Sequence, residues 1–278
     1  MISSAHPIAS KIGLDILKNG GNAFDAAIAV HFALSVVYPN AGNIGGGGFL
    51  VYRLNNGDIG TLDFREKAPE KSYRDMYIDS IEGELKVDDK RSKIGHLASG
   101  VPGSVDGMVK IYDKFSTVDW KTLLEPSIKV AREGFGVTEK QAKGLNNVKK
   151  SLVSANDHPI PFIKEDPWKV GDILTQKNLA NTLEEIKKSK RDGFYKGAVA
   201  ELIINEMKSG GGIITQSDLD NYSSVWREPV IGYFKNHKII SMGPPSSGGI
   251  ALVQLLHGAE QLDCLLYTSP SPRDNSGS

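Results

Sequence analysis

An arginine flanked by acidic residues is the side chain in this sequence best suited to holding a charged ligand. Arg65 lies in the stretch Asp63-Phe64-Arg65-Glu66, at the end of an alternating apolar segment that predicts a strand. A guanidinium group can hold a carboxylate through two charge-assisted hydrogen bonds. It can also form a structural salt bridge with Asp63 or Glu66, and the residues alone favour the salt bridge. Asp63 lies two residues before Arg65, so both share one strand face.

Two glycine-rich segments are the other candidates for chemistry. Residues 45–48 are all glycine, so another backbone or a ligand could approach this segment closely. An active-site wall and simple tight packing explain this run equally well. The run precedes a strand and no Gly-Lys-Ser/Thr follows it, which excludes a phosphate loop. Residues 244–249 precede a helix, where free amides could bind an anion, although a cap by Ser246 or Ser247 is favoured.

The remaining polar residues show no metal-binding or hydrolase pattern. None of the six histidines is spaced with another histidine, a cysteine or a carboxylate in the manner of metal ligands. No Gly-x-Ser-x-Gly motif occurs, and Cys264 is the single cysteine, so no internal disulfide can form. We therefore predict no metal site in this chain.

Composition excludes several classes of partner. The 278 residues are 40% hydrophobic and 24% charged, which is typical of a soluble globular protein. The 33 Lys and Arg balance the 33 Asp and Glu, which argues against nucleic acid or an anionic membrane surface. No apolar run is long enough to span a membrane, and the first ten residues lack the features of a signal peptide. A targeting segment, if the parent protein has one, is expected upstream.

Helical patterns form a block that lies between two pairs of strands. Strand pairs are predicted at 49–64, turning at Asn56-Gly57, and at 229–242, turning at Asn236-His237. Segment 70–95 is polar and is predicted to be a loop or a weakly structured crossing segment. This order indicates an α+β protein with antiparallel strands and not a βαβ nucleotide fold. Helices are predicted at 8–18, 22–37, 103–115, 119–133, 137–149, 176–190, 196–208 and 216–222, and from about 250.

Three segments taken together resemble the large subunit of the gamma-glutamyltranspeptidase family. They are 41–49, 63–69 and 244–249, with supporting similarity at 19–23, 25–27, 96–103 and 192–197. The resemblance covers residues 1–263. It implies the four-layer αββα fold of the N-terminal-nucleophile (Ntn) hydrolases, which we expect to be incomplete here because the part formed by the small subunit is missing.

The resemblance also implies an activity. Members cleave the γ-glutamyl amide of glutathione and transfer the glutamyl group to water, an amino acid or a peptide, without a cofactor. The nucleophile is a threonine that self-cleavage places at the start of the small subunit, where its own amine is the base. By resemblance, Arg65 would hold the α-carboxylate of the γ-glutamyl group and Glu66 would orient Arg65. The implied partners are a γ-glutamyl compound and the chain's own small subunit, and the implied location of the parent is periplasmic or extracellular.

The nucleophile is expected beyond this chain, so we predict no catalytic residue within it. Thr268 is no candidate because residues 264–278 are rich in serine and proline and follow a helix that breaks off. This segment is predicted to be non-native, or alternatively a disordered tail. The fragment alone should be inactive, and helix 23–37 and both hairpins should expose apolar surface where partners are missing.

Two other interpretations stay open on the sequence, and a third fails. A related Ntn acylase, acting for example on cephalosporin side chains, would differ in its acyl pocket, and Arg65 favours an acyl group with an α-carboxylate. A non-catalytic γ-glutamyl-binding pseudoenzyme would lack the threonine. A generic α+β domain would leave three ordered motifs unexplained.

Overall fold

The computed structural model describes residues 1–81, 84–87 and 90–260. Its mixed content of helices and strands confirms the α+β prediction. The helices are α1 Pro7–Lys18, α2 Ala23–Val37, α3 Ser104–Phe115, α4 Trp120–Glu133, α5 Glu139–Ala155, α6 Lys177–Ser189, α7 Asp192–Tyr195, α8 Gly197–Ser209, α9 Gln216–Asn221 and α10 Gly248–Glu260. The strands are β1 Phe49–Arg53, β2 Ile59–Asp63, β3 Ile78–Ile81, β4 Glu84–Val87, β5 Phe135–Gly136, β6 Ile173–Leu174, β7 Val225–Arg227, β8 Val230–Phe234 and β9 His237–Ser241.

The chain divides into two compact units. Unit 1 comprises Met1–Gly48 and Phe64–Ser224, and unit 2 comprises Phe49–Asp63 and Val225–Ser278. The αββα layer order, its incompleteness and a boundary at residue 263 stay predictions, and segment 264–278 lies outside the described residues. Among the described helices, none is both long enough and apolar enough to cross a bilayer.

Helix α2 forms the centre of unit 1. Asn22 and Asp25 make a reciprocal capping box at its start, and no charged residue follows Asp25 within the helix. Phe32 and Val36 are completely buried, and α2 packs against α1 and α4. The Asp25 carboxylate also accepts from the Thr117 hydroxyl at 2.8 Å, which joins α2 to the segment before α4. The prediction of a buried helix is confirmed, whereas the expectation that it would be left exposed is wrong.

Several short strands escaped sequence prediction. Segment 70–95 contains the antiparallel pair β3 and β4, so its prediction as a loop is wrong in part. Strands β5 and β6 pair through two residues each, from Phe135 to Leu174 and from Gly136 to Ile173. Strands this short carry too few side chains to show an alternating pattern, and their pairing depends on the fold that brings them together.

Unit 2 is built from antiparallel strands and one helix. Strands β1, β2 and β7 form a sheet in that order, and β8 and β9 form a hairpin against which α10 packs. The first hairpin turns at Asn56-Gly57 as predicted, with Gly57 at φ +94°. The second turn was misplaced by one residue, because Phe234 pairs with His237 and Lys235 adopts φ 50°.

Candidate functional site

The predicted ligand-binding residues lie directly after β2. Arg65 and Glu66 are both exposed, and the neighbouring Phe64 is only 5% exposed. Next along the chain, the Lys67 and Val101 backbones exchange hydrogen bonds of 3.2 and 2.7 Å. The two charged side chains therefore project from a main chain that is anchored on both sides. Such a guanidinium can meet an anion arriving from solvent without a large loss of backbone freedom.

The glycine run packs against the backbone of these residues. A Cβ atom on Gly47 would lie 2.7 Å from the Arg65 Cα and 2.8 Å from the Glu66 nitrogen, closer than real Cβ atoms come. The Gly46 carbonyl accepts from the backbone nitrogens of Gly103 and Ser104, at 2.7 and 3.0 Å. The run thus joins the Arg65 segment to the start of α3. The tetraglycine is thus tightly packed, although against the backbone of the predicted binding residues and not as a helix against a strand; its role as an active-site wall stays a prediction.

A tyrosine remote in sequence contacts the same backbone. The Tyr222 hydroxyl donates to the Arg65 carbonyl oxygen at 2.8 Å. Nearby, Lys67 donates to the Ser223 carbonyl at 2.8 Å, and its ammonium group lies 5.1 Å from the Tyr222 ring centroid. Tyr222 could not be predicted from the sequence, since 157 residues separate it from Arg65. No local pattern signals such a contact.

A buried ion pair supports the segment that carries Tyr222. Arg191 donates from Nε to the Asp106 carboxylate at 2.9 Å, where the Asp106 side chain is 4% exposed. The other Asp106 oxygen accepts from the Ser224 nitrogen at 2.8 Å and from its hydroxyl at 2.5 Å. Sequence reasoning missed this pair too. The only signal in the sequence was that Arg191 immediately precedes segment 192–197, one of the segments in which the chain resembles the family.

Burial sets the ionisation state of the neighbouring Tyr195. Removal from water raises the pKa of the Tyr195 phenol well above its usual range. Its hydroxyl accordingly stays protonated and donates to the Pro102 carbonyl at 2.8 Å. Tyr195 therefore serves as a structural donor and not as an acid or base.

The other predicted features fall in different places. In unit 2, Ser246 accepts from the Gly248 nitrogen at 3.3 Å, whereas the Ser247 carbonyl accepts the first helical hydrogen bond, so the helix-cap interpretation of segment 244–249 stays a prediction. Among the described residues, no three His, Cys, Asp or Glu side chains are grouped to hold a metal. The absence of a catalytic residue and the roles of Arg65 and Glu66 stay predictions.

Unit 1 also contains an open cavity beside the glycine run. Its volume is about 560 Å³, and it extends from Gly45 to the first turn of α6. Gln176, at the start of α6, donates to the Val36 carbonyl at 2.7 Å and does not cap the helix. The cavity is lined by Ser35, Pro39, Gly42, Asn43, Ile44, Gly45, Pro161, Phe162, Thr175, Gln176, Lys177, Asn178 and Leu179.

Known proteins share both the sequence and this architecture. Residues 9–275 match the family model described as gamma-glutamyltranspeptidase. The chain is 44% identical over 269 residues to the glutathione hydrolase proenzyme of Escherichia coli (strain K12), covering 96% of this chain and 46% of that protein. It thus spans about half the length of the curated relatives it matches.

Solved structures extend the comparison. The structure resembles that of Helicobacter pylori gamma-glutamyltranspeptidase with a TM-score of 0.92 and 45% identity, covering 98% of this chain and 78% of that one. It also resembles a cephalosporin acylase from Bacillus halodurans, with a TM-score of 0.82 and 25% identity, covering 95% and 49% of the two chains.

Proposed function

The chain belongs to the gamma-glutamyltranspeptidase family, and from that premise we propose that it forms part of a glutathione hydrolase and gamma-glutamyltransferase. The complete enzyme would cleave the γ-glutamyl amide of glutathione. It would then pass the glutamyl group to water, an amino acid or a peptide. The proenzymes among its relatives support processing into two subunits, with this chain contributing to the large one.

The observation that carries the proposal is the exposed Arg65 on an anchored main chain. A γ-glutamyl group has a free α-carboxylate at the end remote from the amide that is cleaved. The Arg65 guanidinium would bind this carboxylate through paired N–H donors. The exposed Glu66 carboxylate, next along the chain, would orient the guanidinium. Fixing the remote end of the substrate in this way places its amide carbonyl at a defined distance from the nucleophile.

The reaction itself would use groups outside this chain. A threonine at the start of the small subunit would attack the γ-carbonyl carbon, while its α-amine takes the hydroxyl proton. Backbone N–H donors would stabilise the tetrahedral oxyanion, and the amide nitrogen would leave with a proton as an amine. Water or an acceptor amine would then cleave the glutamyl ester. This chain alone would be inactive, and the parent would act in the periplasm or outside the cell.

The test uses a completed proenzyme, in which residues 1–260 are joined to the unmatched remainder of the Escherichia coli relative. We expect turnover of a γ-glutamyl anilide, and Arg65→Gln should raise KM about 10- to 100-fold, as expected for loss of a charged hydrogen-bonding group. Arg74→Gln is the matched control, because Arg74 is 91% exposed and pairs with the adjacent Asp75. A completed protein without γ-glutamyl turnover, or an Arg65 variant with an unchanged KM, would overturn the proposal.

A related acylase is the second candidate, favoured by the similarity to the cephalosporin acylase structure. The two functions differ in their need for an α-carboxylate on the acyl group. Comparing a γ-glutamyl anilide with the 4-aminobutyryl anilide, which lacks that carboxylate, separates them. A preference for the 4-aminobutyryl compound would favour the acylase. A native coding sequence without the threonine would instead indicate a γ-glutamyl-binding pseudoenzyme.

A further inference from the structure

Tyr222 contacts the backbone of Arg65 at the carbonyl oxygen. Its hydroxyl donates to the Arg65 carbonyl oxygen at 2.8 Å, and the side chain is buried. Gly103 makes this approach possible, because a Cβ atom there would collide with both the Tyr222 hydroxyl and the Phe64 carbonyl oxygen. The contact therefore depends on a glycine from a third segment of the chain.

The Tyr222 side chain is itself held rigidly. Its ring stacks on Tyr195, with centroids 5.8 Å apart and planes at 10°. The Arg191 guanidinium lies 4.6 Å from the centre of the Tyr195 ring and donates to the Tyr222 carbonyl at 2.7 Å. The same guanidinium pairs with the buried Asp106. The hydroxyl thus projects from a ring and a backbone that are both fixed by buried contacts.

We infer that Tyr222 is a positioning residue that sets the direction of Arg65 toward the substrate carboxylate, an inference that rests on the proposed function of Arg65. A hydrogen bond to the carbonyl oxygen restricts rotation about the backbone of residue 65. That restriction limits the region from which the exposed guanidinium can reach a ligand. Removing the hydroxyl leaves the stacked ring in place, so the effect falls on the orientation of Arg65 and not on the fold.

The test is a double-mutant cycle in the completed proenzyme. Tyr222→Phe should raise KM for the γ-glutamyl anilide about three- to tenfold, with kcat little changed, because one hydrogen bond that supports substrate binding is lost. In the Arg65→Gln background the same change should raise KM no further. A purely structural effect of Tyr222→Phe would instead multiply KM by the same factor in both backgrounds.

Tyr77→Phe is the matched control, since the Tyr77 hydroxyl also donates to a backbone carbonyl, that of Leu97, at 2.9 Å. It should leave KM unchanged. An unchanged KM in Tyr222→Phe, or independent effects of the two variants, overturns the inference. If the parent protein turns over no γ-glutamyl substrate, the proposed function fails instead. In that case the contact is tested by NMR on this chain, by measuring the ¹³C chemical shift of the Arg65 carbonyl carbon. If the shift is the same in the parent chain and in Tyr222→Phe, the hydrogen bond from Tyr222 to that carbonyl is refuted.

Discussion

The two units of the chain differ in how their apolar residues are placed. In unit 1, α2, α4 and α6 bury side chains such as Phe32, Leu123 and Ile186 completely. In unit 2, the only buried large apolar side chains among the described residues are Leu62 and Met242. The large apolar residues that unit 2 exposes are Val51, Val225, Ile231, Tyr233, Ile250, Leu252 and Leu255.

The difference shows which unit can account for its own stability. Burying apolar surface is the main favourable term in folding, and unit 1 has a continuous helical core that supplies it. Unit 2 instead presents apolar strand and helix faces of the kind that mark binding surfaces or a tendency to aggregate. The expectation of exposed apolar surface is therefore confirmed for the hairpins, at Val51, Ile231 and Tyr233, and it is wrong for α2; the exposed face of α10 was not predicted.

The largest predicted effect compares the Asp106–Arg191 ion pair of unit 1 with the more exposed Asp63–Arg227 pair of unit 2. Arg191→Ala in unit 1 leaves the Asp106 carboxylate, 4% exposed, without its hydrogen-bonded cation, since Lys110 is 3.9 Å away, and should lower the free energy of unfolding by about 3–5 kcal/mol. Arg227→Ala in unit 2 removes the partner of Asp63 at 2.8 Å; the Asp63 side chain is 9% exposed, but Arg227 is 41% exposed, against 25% for Arg191, so water can take its place. We expect a loss of about 1 kcal/mol there. Urea denaturation, monitored by tryptophan fluorescence, measures the loss of unfolding free energy in both variants. Equal losses would show that the two ion pairs do not differ in their contribution to stability.

A smaller effect is predicted for truncation of apolar side chains. Leu123→Ala, at a fully buried position of α4, should cost about 2–5 kcal/mol of unfolding free energy through lost burial and a cavity. Leu255→Ala, at a 72% exposed position of α10, should change it by less than about 0.5 kcal/mol. Urea midpoints and slopes for the two variants test this directly. If Leu255→Ala lowered the unfolding free energy by much more than about 0.5 kcal/mol, Leu255 would have to be part of an apolar core in unit 2.

The predicted effect that is smallest at neutral pH, and grows as the pH falls, is a dependence of stability on pH that arises in unit 1. Burial lowers the pKa of His31 to about 4, below the value of about 6.5 expected in the unfolded chain. The unfolded state therefore takes up the proton first as the pH falls. Stability contributed by neutral His31 is fully present above pH 6.5 and is lost between about 6.5 and 4, by at most about 1.4 kcal/mol per pH unit.

His31→Leu should reduce the slope of the unfolding free energy against pH between 4 and 6.5. The reduction should be at most about 1.4 kcal/mol per pH unit, the value for one proton. The measurement is the free energy of unfolding of the parent and variant proteins at several pH values between 4 and 8. Parallel curves would show that His31 is accessible to protons in the folded state, contrary to the enclosed Nε2 atom that the structure shows.

Much of the fold follows from local patterns. The Asn22 and Asp25 capping box, the uncharged stretch after it and the Asn56-Gly57 turn are short-range features that predict α2 and the first hairpin. Short strands such as β5 and β6 could not be predicted, because two residues contain no period and their pairing is set by distant segments. The αββα layers and the roles of Arg65 and Glu66 stay predictions.

The candidate site, like the fold, was predictable from the sequence only in part. By itself, the sequence determined the family, through ordered motifs that keep their residues together, and the resemblance made Arg65 the candidate for holding a carboxylate, a role that stays a prediction. Only the tertiary structure revealed that the glycine run packs against the Arg65 backbone and that Tyr222 and the Asp106–Arg191 pair lie behind it. The physical reason is that close approach and burial join residues far apart along the chain. Such contacts are properties of the folded packing and leave no periodic or local signal.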